Sequence, residues 1–286
     1  MTHHTTCVED ALKSAAARLR EAGVDNPLLD AQLLIARVLG CSRTDLIAHP
    51  ERVLTADESS EYAAMVAKRA ARCPLAYILG RREFCGLEIT VSPGVLIPRL
   101  ETEILVEECL KRVAPDSPVI ADIGTGSGAV AIALAAHIPS ATLYATEISP
   151  RALEVARANI EKHDLSRRVR LVEGDLARPL EGLGVVFDAV VSNPPYIPTG
   201  EISALQPEIS RHEPVEALDG GPDGLEAYRR LLPESIGLLA AGGFTAVEGG
   251  AGQAGAVRAI AEAAGYNSFE TARDLAGIER VVVAYR

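Results

Sequence analysis

From residue 118 onward the chain alternates strand-like and helix-like runs, and this alternation restricts the fold more than any other feature of the sequence. The strand-like runs are 119–123, 142–147, 169–173, 185–192, 244–248 and 280–285, with a weaker one near 266–269. Helix-like runs fall between most of them. The run 150–162, for example, has Ser149 as its N-cap and Pro150 at its first position. Strands that alternate with helices build a mostly parallel sheet with helices on both faces. The expected fold class is therefore α/β. In such a sheet ligands bind beyond the carboxyl ends of the strands, where the strand order reverses.

Residues 1–75 read instead as a small helical bundle. Run 9–22 places Leu12, Ala16, Leu19 and Ala22 at helical spacing. Run 27–39 does the same with Leu29, Leu33, Ala36 and Leu39 or near neighbours, and Gly40 follows as a stop. Thr55 and Glu58 form a capping-box pattern that opens a helix running to about Arg72. Such a bundle is either a packing unit or a docking module for a partner. Residues 76–103 read as a hairpin linker, because 84–91 alternates through Leu87, Ile89 and Val91 before the turn signal Ser92-Pro93-Gly94. Residues 104–286 form the remaining domain. Thr102 is expected to cap its first helix, where Glu101 and Glu103 suit a helix N-terminus.

Composition excludes several classes. Hydrophobic residues are 48% of 286, which supports a real core and argues against disorder. No apolar run approaches the ~20 residues of a membrane span, and the first residues lack the basic-then-apolar pattern of a signal peptide. The five cysteines, Cys7, Cys41, Cys73, Cys85 and Cys109, are odd in number and contain no C-x-x-C pair. They fit a reducing cytoplasm better than a disulfide framework or a zinc site. His3 and His4 read as neither a metal site nor a tag remnant, and no metal is expected. A net charge of −11 disfavours a nucleic-acid partner.

Two loops carry the chemistry. Asp122-Ile-Gly124-Thr125-Gly126-Ser127-Gly128 follows a strand and opens a helix, the position where nucleotides bind in an open parallel sheet. With Ala129 it also satisfies the relaxed dinucleotide pattern. Glu147 ends the next strand and can accept from both ribose hydroxyls. Asp175 follows the third and can accept from an adenine amino group, with Leu176 against the ring. Together these residues describe an adenosine pocket, and no Lys or Arg in the glycine loop prefers a pyrophosphate. The second loop, Asn193-Pro194-Pro195-Tyr196, ends the fourth strand beside the first. Two prolines make it stiff. The Asn193 side-chain oxygen and the Pro194 carbonyl can accept from the two N–H bonds of one planar NH₂ group, and Tyr196 offers a flat face to stack on it. An adenosine cofactor without a phosphate clamp, beside a holder for an NH₂ group, suggests S-adenosyl-L-methionine.

The chain resembles the class I methyltransferases that carry an Asn-Pro-Pro-Tyr motif. Within them it is similar to the protein-(glutamine-N5) methyltransferases of the HemK/PrmC family. The resemblance runs from about Pro74 to the C-terminus through Leu96–Glu103, both loops, Glu213-Pro214, 220–225 and 274–277. It implies a Rossmann-like, mostly parallel seven-stranded sheet preceded by a helical domain. It further implies transfer of a methyl group from S-adenosyl-L-methionine to the glutamine of the Gly-Gly-Gln loop of bacterial class 1 release factors. The implied substrate-side residues are Asn193, Pro194, Pro195, Tyr196, Arg99 and Glu101, with Asn193 also next to the cofactor. The implied protein is a cytoplasmic monomer. Two positions depart from the family pattern: Leu100 stands where Pro is usual and Glu147 where Asp is usual. The rivals are a ribosomal-protein glutamine methyltransferase, a nucleic-acid amino methyltransferase, a nicotinamide-dependent oxidoreductase and a non-catalytic binding module.

Overall fold

The computed structural model describes residues 6–113 and 116–286, so the His3–His4 pair lies outside the described residues. The chain divides into two compact units. One runs to Gly80 and takes in Gln206–His212; the other comprises Arg81–Leu205 and Glu213–Arg286.

The first unit holds α1 (Val8–Glu21), α2 (Pro27–Leu39), α3 (Arg43–Ala48), α4 (Ala56–Ala70) and α5 (Leu75–Leu79). Helix α2 starts at Pro27 and stops against Gly40, which takes the left-handed conformation at φ 60°. Thr55 and Glu58 cap α4 reciprocally, with Glu58 N donating to Thr55 Oγ1 and Thr55 N donating to Glu58 Oε2. The buried face of α2 keeps Ala36 of the expected stripe and otherwise uses neighbouring positions. Ala31, Leu34 and Ile35 are fully buried, while Leu29 is exposed. This helix is apolar on several sides, so period alone leaves its rotation open, and packing against α1 and α4 selects it. The chosen face also buries Asp30, which needs a cation. Arg69 of α4 supplies it, with Nε 2.7 Å from Asp30 Oδ2. The same guanidinium reaches Glu208 Oε1 at 2.8 Å, and Arg72 holds Glu208 through two bonds of 2.6 Å. Glu208 thereby clamps the 206–212 segment onto α4.

The second unit opens with a hairpin, β1 (Arg81–Phe84) and β2 (Leu87–Thr90). The sequence presents 84–91 as one alternating run, but the chain reverses at Cys85 and Gly86, which adopt φ 48° and 74°. Two left-handed residues make the tight turn that suits strand twist, and Cys in the first of them gives no turn signal. There follow α6 (Thr102–Arg112), β3 (Val119–Ile123), α7 (Ala129–His137), β4 (Thr142–Glu147), α8 (Pro150–Lys162), β5 (Val169–Glu173), α9 (Arg178–Glu181) and β6 (Phe187–Ser192). After α10 (Pro207–Ser210), in the segment already described, come α11 (Glu226–Leu238), β7 (Leu239–Glu248), α12 (Ala254–Ala263), β8 (Ser268–Arg273) and β9 (Glu279–Tyr285). The seven strands β3 to β9 form one sheet in the order β5-β4-β3-β6-β7-β9-β8. Pairs among β3 to β7 are parallel, and β9 runs antiparallel to both its neighbours. This is the expected α/β class. Phe187, Tyr228, Leu231 and Val247 anchor the core on one face, and Tyr144 meets Phe187 edge-on at 5.5 Å. Helix α7 is buried through Ala135 and rich in alanine, so it lies close against the sheet. No helix among the described residues is long and apolar enough to cross a membrane.

The ion cluster of the first unit yields a prediction with a definite sign. Burial alone would raise the Glu208 carboxyl, but hydrogen bonds from Arg72 and Arg69 bring it from 4.5 down to about 2. A depressed folded-state pKa adds stability that is fully present above 4.5 and is lost as pH falls towards 2. Glu208→Ala is expected to lower stability at neutral pH by about 3 kcal/mol, because it leaves two arginines without their shared partner. In urea unfolding at a series of pH values, the gap between wild type and variant is expected to narrow as pH falls from about 5 to about 3.

Candidate active site

The sheet topology creates the site. The chain lays down β3, β4 and β5 towards one edge and then returns to place β6 on the other side of β3. Strand order reverses between β3 and β6, and a crevice opens beyond their carboxyl ends. A 660 Å³ cavity lies there, within the usual size range of small-molecule sites.

One wall is the glycine loop. Asp122, the penultimate residue of β3, is 1% exposed and ties the loop down with one oxygen. Its Oδ2 accepts from Thr125 Oγ1 at 2.6 Å and from the Ala131 amide at 3.0 Å. Burial pushes its carboxyl up to about 6, against the pull of these bonds. Gly124 and Gly126 take φ 70° and 58°, and a Cβ on either would meet no protein atom within 4 Å. Both line the cavity, so the space a side chain would fill is kept for a ligand. At the end of β4, Glu147 closes over the loop: Oε2 accepts from Gly126 N at 2.9 Å and Oε1 from the amides of Ile148 and Ser149.

The opposite wall is the proline loop. Asn193 follows β6 directly, and its Nδ2 donates to Thr102 Oγ1 at 3.1 Å. That bond orients the side-chain amide with Oδ1 away from Thr102. Among the described residues no donor reaches Asn193 Oδ1 or the Pro194 carbonyl. The loop is pinned from behind. Gln253 Nε2 donates to the Tyr196 carbonyl at 2.9 Å and Gln253 Oε1 accepts from Gly250 N at 2.8 Å. The chain at Gly224 passes so close that a Cβ there would lie 2.3 Å from the Tyr196 carbonyl oxygen. The ring of Tyr196 turns inward, its hydroxyl 3.4 Å from Glu248 Oε1.

Charge distinguishes this cavity from a phosphate site. Asp122, Glu147, Asp175, Glu216, Asp219 and Glu226 line it against a single arginine, Arg230. Arg230 is itself paired with Asp175. Such a lining favours a cationic ligand over a pyrophosphate.

Comparison with known proteins places the chain in a family. Residues 10–80 match the family described as PrmC N-terminal domain and residues 100–209 match the methyltransferase small domain. A protein of Moorella thermoacetica named release factor glutamine methyltransferase is 46% identical over 98% of this chain and 98% of its own length. One of the same name from Geobacter sulfurreducens is 46% identical over 92% of this chain and 91% of its own. The chain belongs to the release factor glutamine methyltransferase family. Among solved structures, the fold is similar to that of a methyltransferase from Pyrococcus furiosus, with TM-score 0.52 and 23% identity, covering 79% of this chain and 98% of the other. It is also similar to the catalytic domain of hMettl16 in complex with an RNA hairpin, with TM-score 0.56 and 19% identity, covering 77% and 81%. These two support the methyltransferase fold.

In this family member the residues expected from sequence divide in position. Asp122, Gly124, Thr125, Gly126, Ser127, Glu147, Asp175, Leu176, Asn193, Pro194 and Pro195 line the cavity. Gly128 lies behind, at the N-cap of α7. Tyr196, Arg99 and Glu101 are not in the lining either. Arg99 donates to Glu213 Oε1 at 2.6 Å, and Glu101 sits exposed at the N-cap of α6 without a capping bond. Thr102 does not cap α6, contrary to expectation. It is the first helical residue, and its hydroxyl serves Asn193 instead. Sequence reasoning did not single out the contributions of Gln253, Arg230 and Glu248. Each lies far along the chain from the loop it supports, with no local motif around it.

The Asp122 geometry is checkable. Both of its bonds end on one oxygen, so Asp122→Asn retains them and is expected to keep stability within about 1 kcal/mol of wild type, whereas Asp122→Ala leaves a buried hydroxyl and amide unpaired and costs about 2–3 kcal/mol. Thermal unfolding of the two variants distinguishes these outcomes.

Proposed function

We propose that this chain transfers the methyl group of S-adenosyl-L-methionine to the side-chain nitrogen, N5, of the glutamine in the Gly-Gly-Gln loop of bacterial class 1 release factors. The names of the relatives support the substrate. The observation that carries the reading is the Asn193 amide, held by Thr102 so that its oxygen is free beside the Pro194 carbonyl. Two free acceptors on a stiff loop match the two N–H bonds of one primary amide.

The cavity fits the cofactor. Gly124 and Gly126 leave room for close approach, Glu147 keeps lone pairs for ribose hydroxyls beyond the three amides it already serves, and the acidic lining suits a positive sulfonium. When bound, S-adenosyl-L-methionine supplies a methyl group on a positively charged sulfur as the electrophile. Asp175, held by Arg230, and Leu176 form the end of the cavity expected to receive the adenine.

An amide nitrogen is a weak nucleophile because its lone pair is delocalised. Asn193 and Pro194 counter this by accepting a hydrogen bond from each of its two N–H groups, which raises electron density on nitrogen and aims its remaining direction. Positioning of this kind is the main catalytic contribution of the chain. No base is needed before transfer, since the nitrogen can release its proton afterwards. Pro195 and Tyr196 hold the loop in shape, with Tyr196 anchored through Gln253.

The test uses purified protein, S-adenosyl-L-methionine with a labelled methyl group, a release factor and its Gln→Ala loop variant, followed by intact-mass analysis. One methyl on the first and none on the second is the expected result; none on either overturns the proposal. Asn193→Ala is expected to leave cofactor binding within about threefold by calorimetry while transfer falls on the order of 10²-fold or more.

A further inference from the structure

Glu248, the last residue of β7, has no part in the chemistry described so far. It is 1% exposed, forms no ion pair among the described residues, and leaves Oε2 without a hydrogen-bond partner there. Its neighbours are the substrate loop. Ser192 pairs with Val247 in the parallel register of β6 and β7, so Asn193 and Glu248 each lie one residue beyond that pair. Glu248 Oε1 is the acceptor for the Tyr196 hydroxyl at 3.4 Å, and its own carbonyl accepts from Tyr228 at 2.6 Å. A carboxylate buried without a cation is costly and marks a functional position.

We propose that Glu248 is the positioning residue of the methyl-acceptor site: acting through the hydroxyl of Thr102, it sets the direction of the Thr102–Asn193 hydrogen bond and so presents the Asn193 oxygen to the substrate amide. This rests on the glutamine-amide reading above. Thr102 is 4% exposed and accepts a bond from Asn193 Nδ2, so its own proton must be given elsewhere. Glu248 Oε2, buried and without a hydrogen-bond partner among the described residues, is the acceptor we assign to that proton, and the Thr102 hydroxyl is among the groups that lower the Glu248 carboxyl. With Glu248 ionised, Oε1 accepts from the Tyr196 hydroxyl and Oε2 can accept from Thr102, which leaves the Thr102 lone pairs facing Asn193. With Glu248 protonated, its own O–H competes as a donor to either hydroxyl. The bias on Thr102 is then lost, and the Asn193 amide is free to rotate its NH₂ towards the substrate, where it cannot accept.

The switch lies in an accessible range. Burial raises the Glu248 carboxyl to about 7, with hydrogen bonds from Thr102 and Tyr196 opposing, Glu101 adding to the rise and Arg280 of β9 reducing it. The competent, ionised form therefore prevails above about pH 7.

Two readouts test this. In the free protein, the side-chain amide signals of Asn193, assigned with Asn193→Asp, are expected to shift in ¹H–¹⁵N spectra with a midpoint near pH 7. Glu248→Gln is expected to abolish that shift. In turnover, the wild-type rate on a release factor is expected to fall below that pH. Glu248→Gln is expected to lose the pH limb and drop the saturated rate on the order of 10²-fold, with S-adenosyl-L-methionine binding unchanged by calorimetry. Thr102→Val breaks the relay at its other end and should silence the Asn193 titration, while Thr102→Ser should restore it; these variants decide the matter if Glu248→Gln does not fold. An Asn193 titration that persists in Glu248→Gln, or full turnover by it, overturns the proposal. If the wild-type protein leaves release factors unmethylated, the substrate reading falls, and the Asn193 titration still decides the role of Glu248.

Discussion

The reversal of strand order between β3 and β6 is the constraint on which everything else depends. Parallel strands end together at one edge of a sheet, and helices on either face cannot cover the gap where the order turns back. The chain spends its two most specialised loops at that gap. The glycine loop after β3 and the proline loop after β6 leave from adjacent strands, joined by the Ser192 hydroxyl that donates to the Ile123 carbonyl at 2.7 Å. The proposed cofactor side and the proposed acceptor side therefore lie in one cavity.

The two loops are rigid for opposite reasons. The glycine loop lacks side chains, and its shape is imposed from outside by Asp122 below and Glu147 above. The proline loop is stiff by its own covalent geometry, and what it needs from outside is direction. Thr102, Gln253 and the close passage of Gly224 supply that. Precise placement matters here more than acid–base strength, because the proposed nucleophile is a neutral amide whose reactivity depends on being held.

Buried carboxylates recur in both units, in two different roles. In the helical unit Asp30 and Glu208 are fully matched by Arg69 and Arg72, and their charge holds a distant segment in place. At the carboxyl ends of β3 and β7, Asp122 and Glu248 have no cation bonded to them among the described residues, and burial lifts both above the ordinary carboxylate range. The matched pairs stabilise the fold. The unmatched ones sit at the edge of the sheet where the strand order reverses, and there they orient hydrogen bonds at a cost in stability.

The local chemistry of this protein was legible in its sequence. Alternating apolar runs specified the strands, Thr55 with Glu58 and Pro27 with Gly40 marked helix ends, and the two loop motifs contained residues that line the cavity. Period and capping act within a few residues, so they can be read from neighbours alone. The rotation of α2, the turn at Cys85-Gly86, the diversion of Thr102 from cap to partner of Asn193, and the pairing of Arg99 with Glu213 could not be read in that way. Each depends on an atom brought close by residues 18 to 114 positions away, and no local pattern encodes which one will arrive. Residue pattern was enough to set most of the elements and the groups that end the parallel strands. Which of those groups face the cavity is settled later, by competition for hydrogen-bond partners after the sheet has closed.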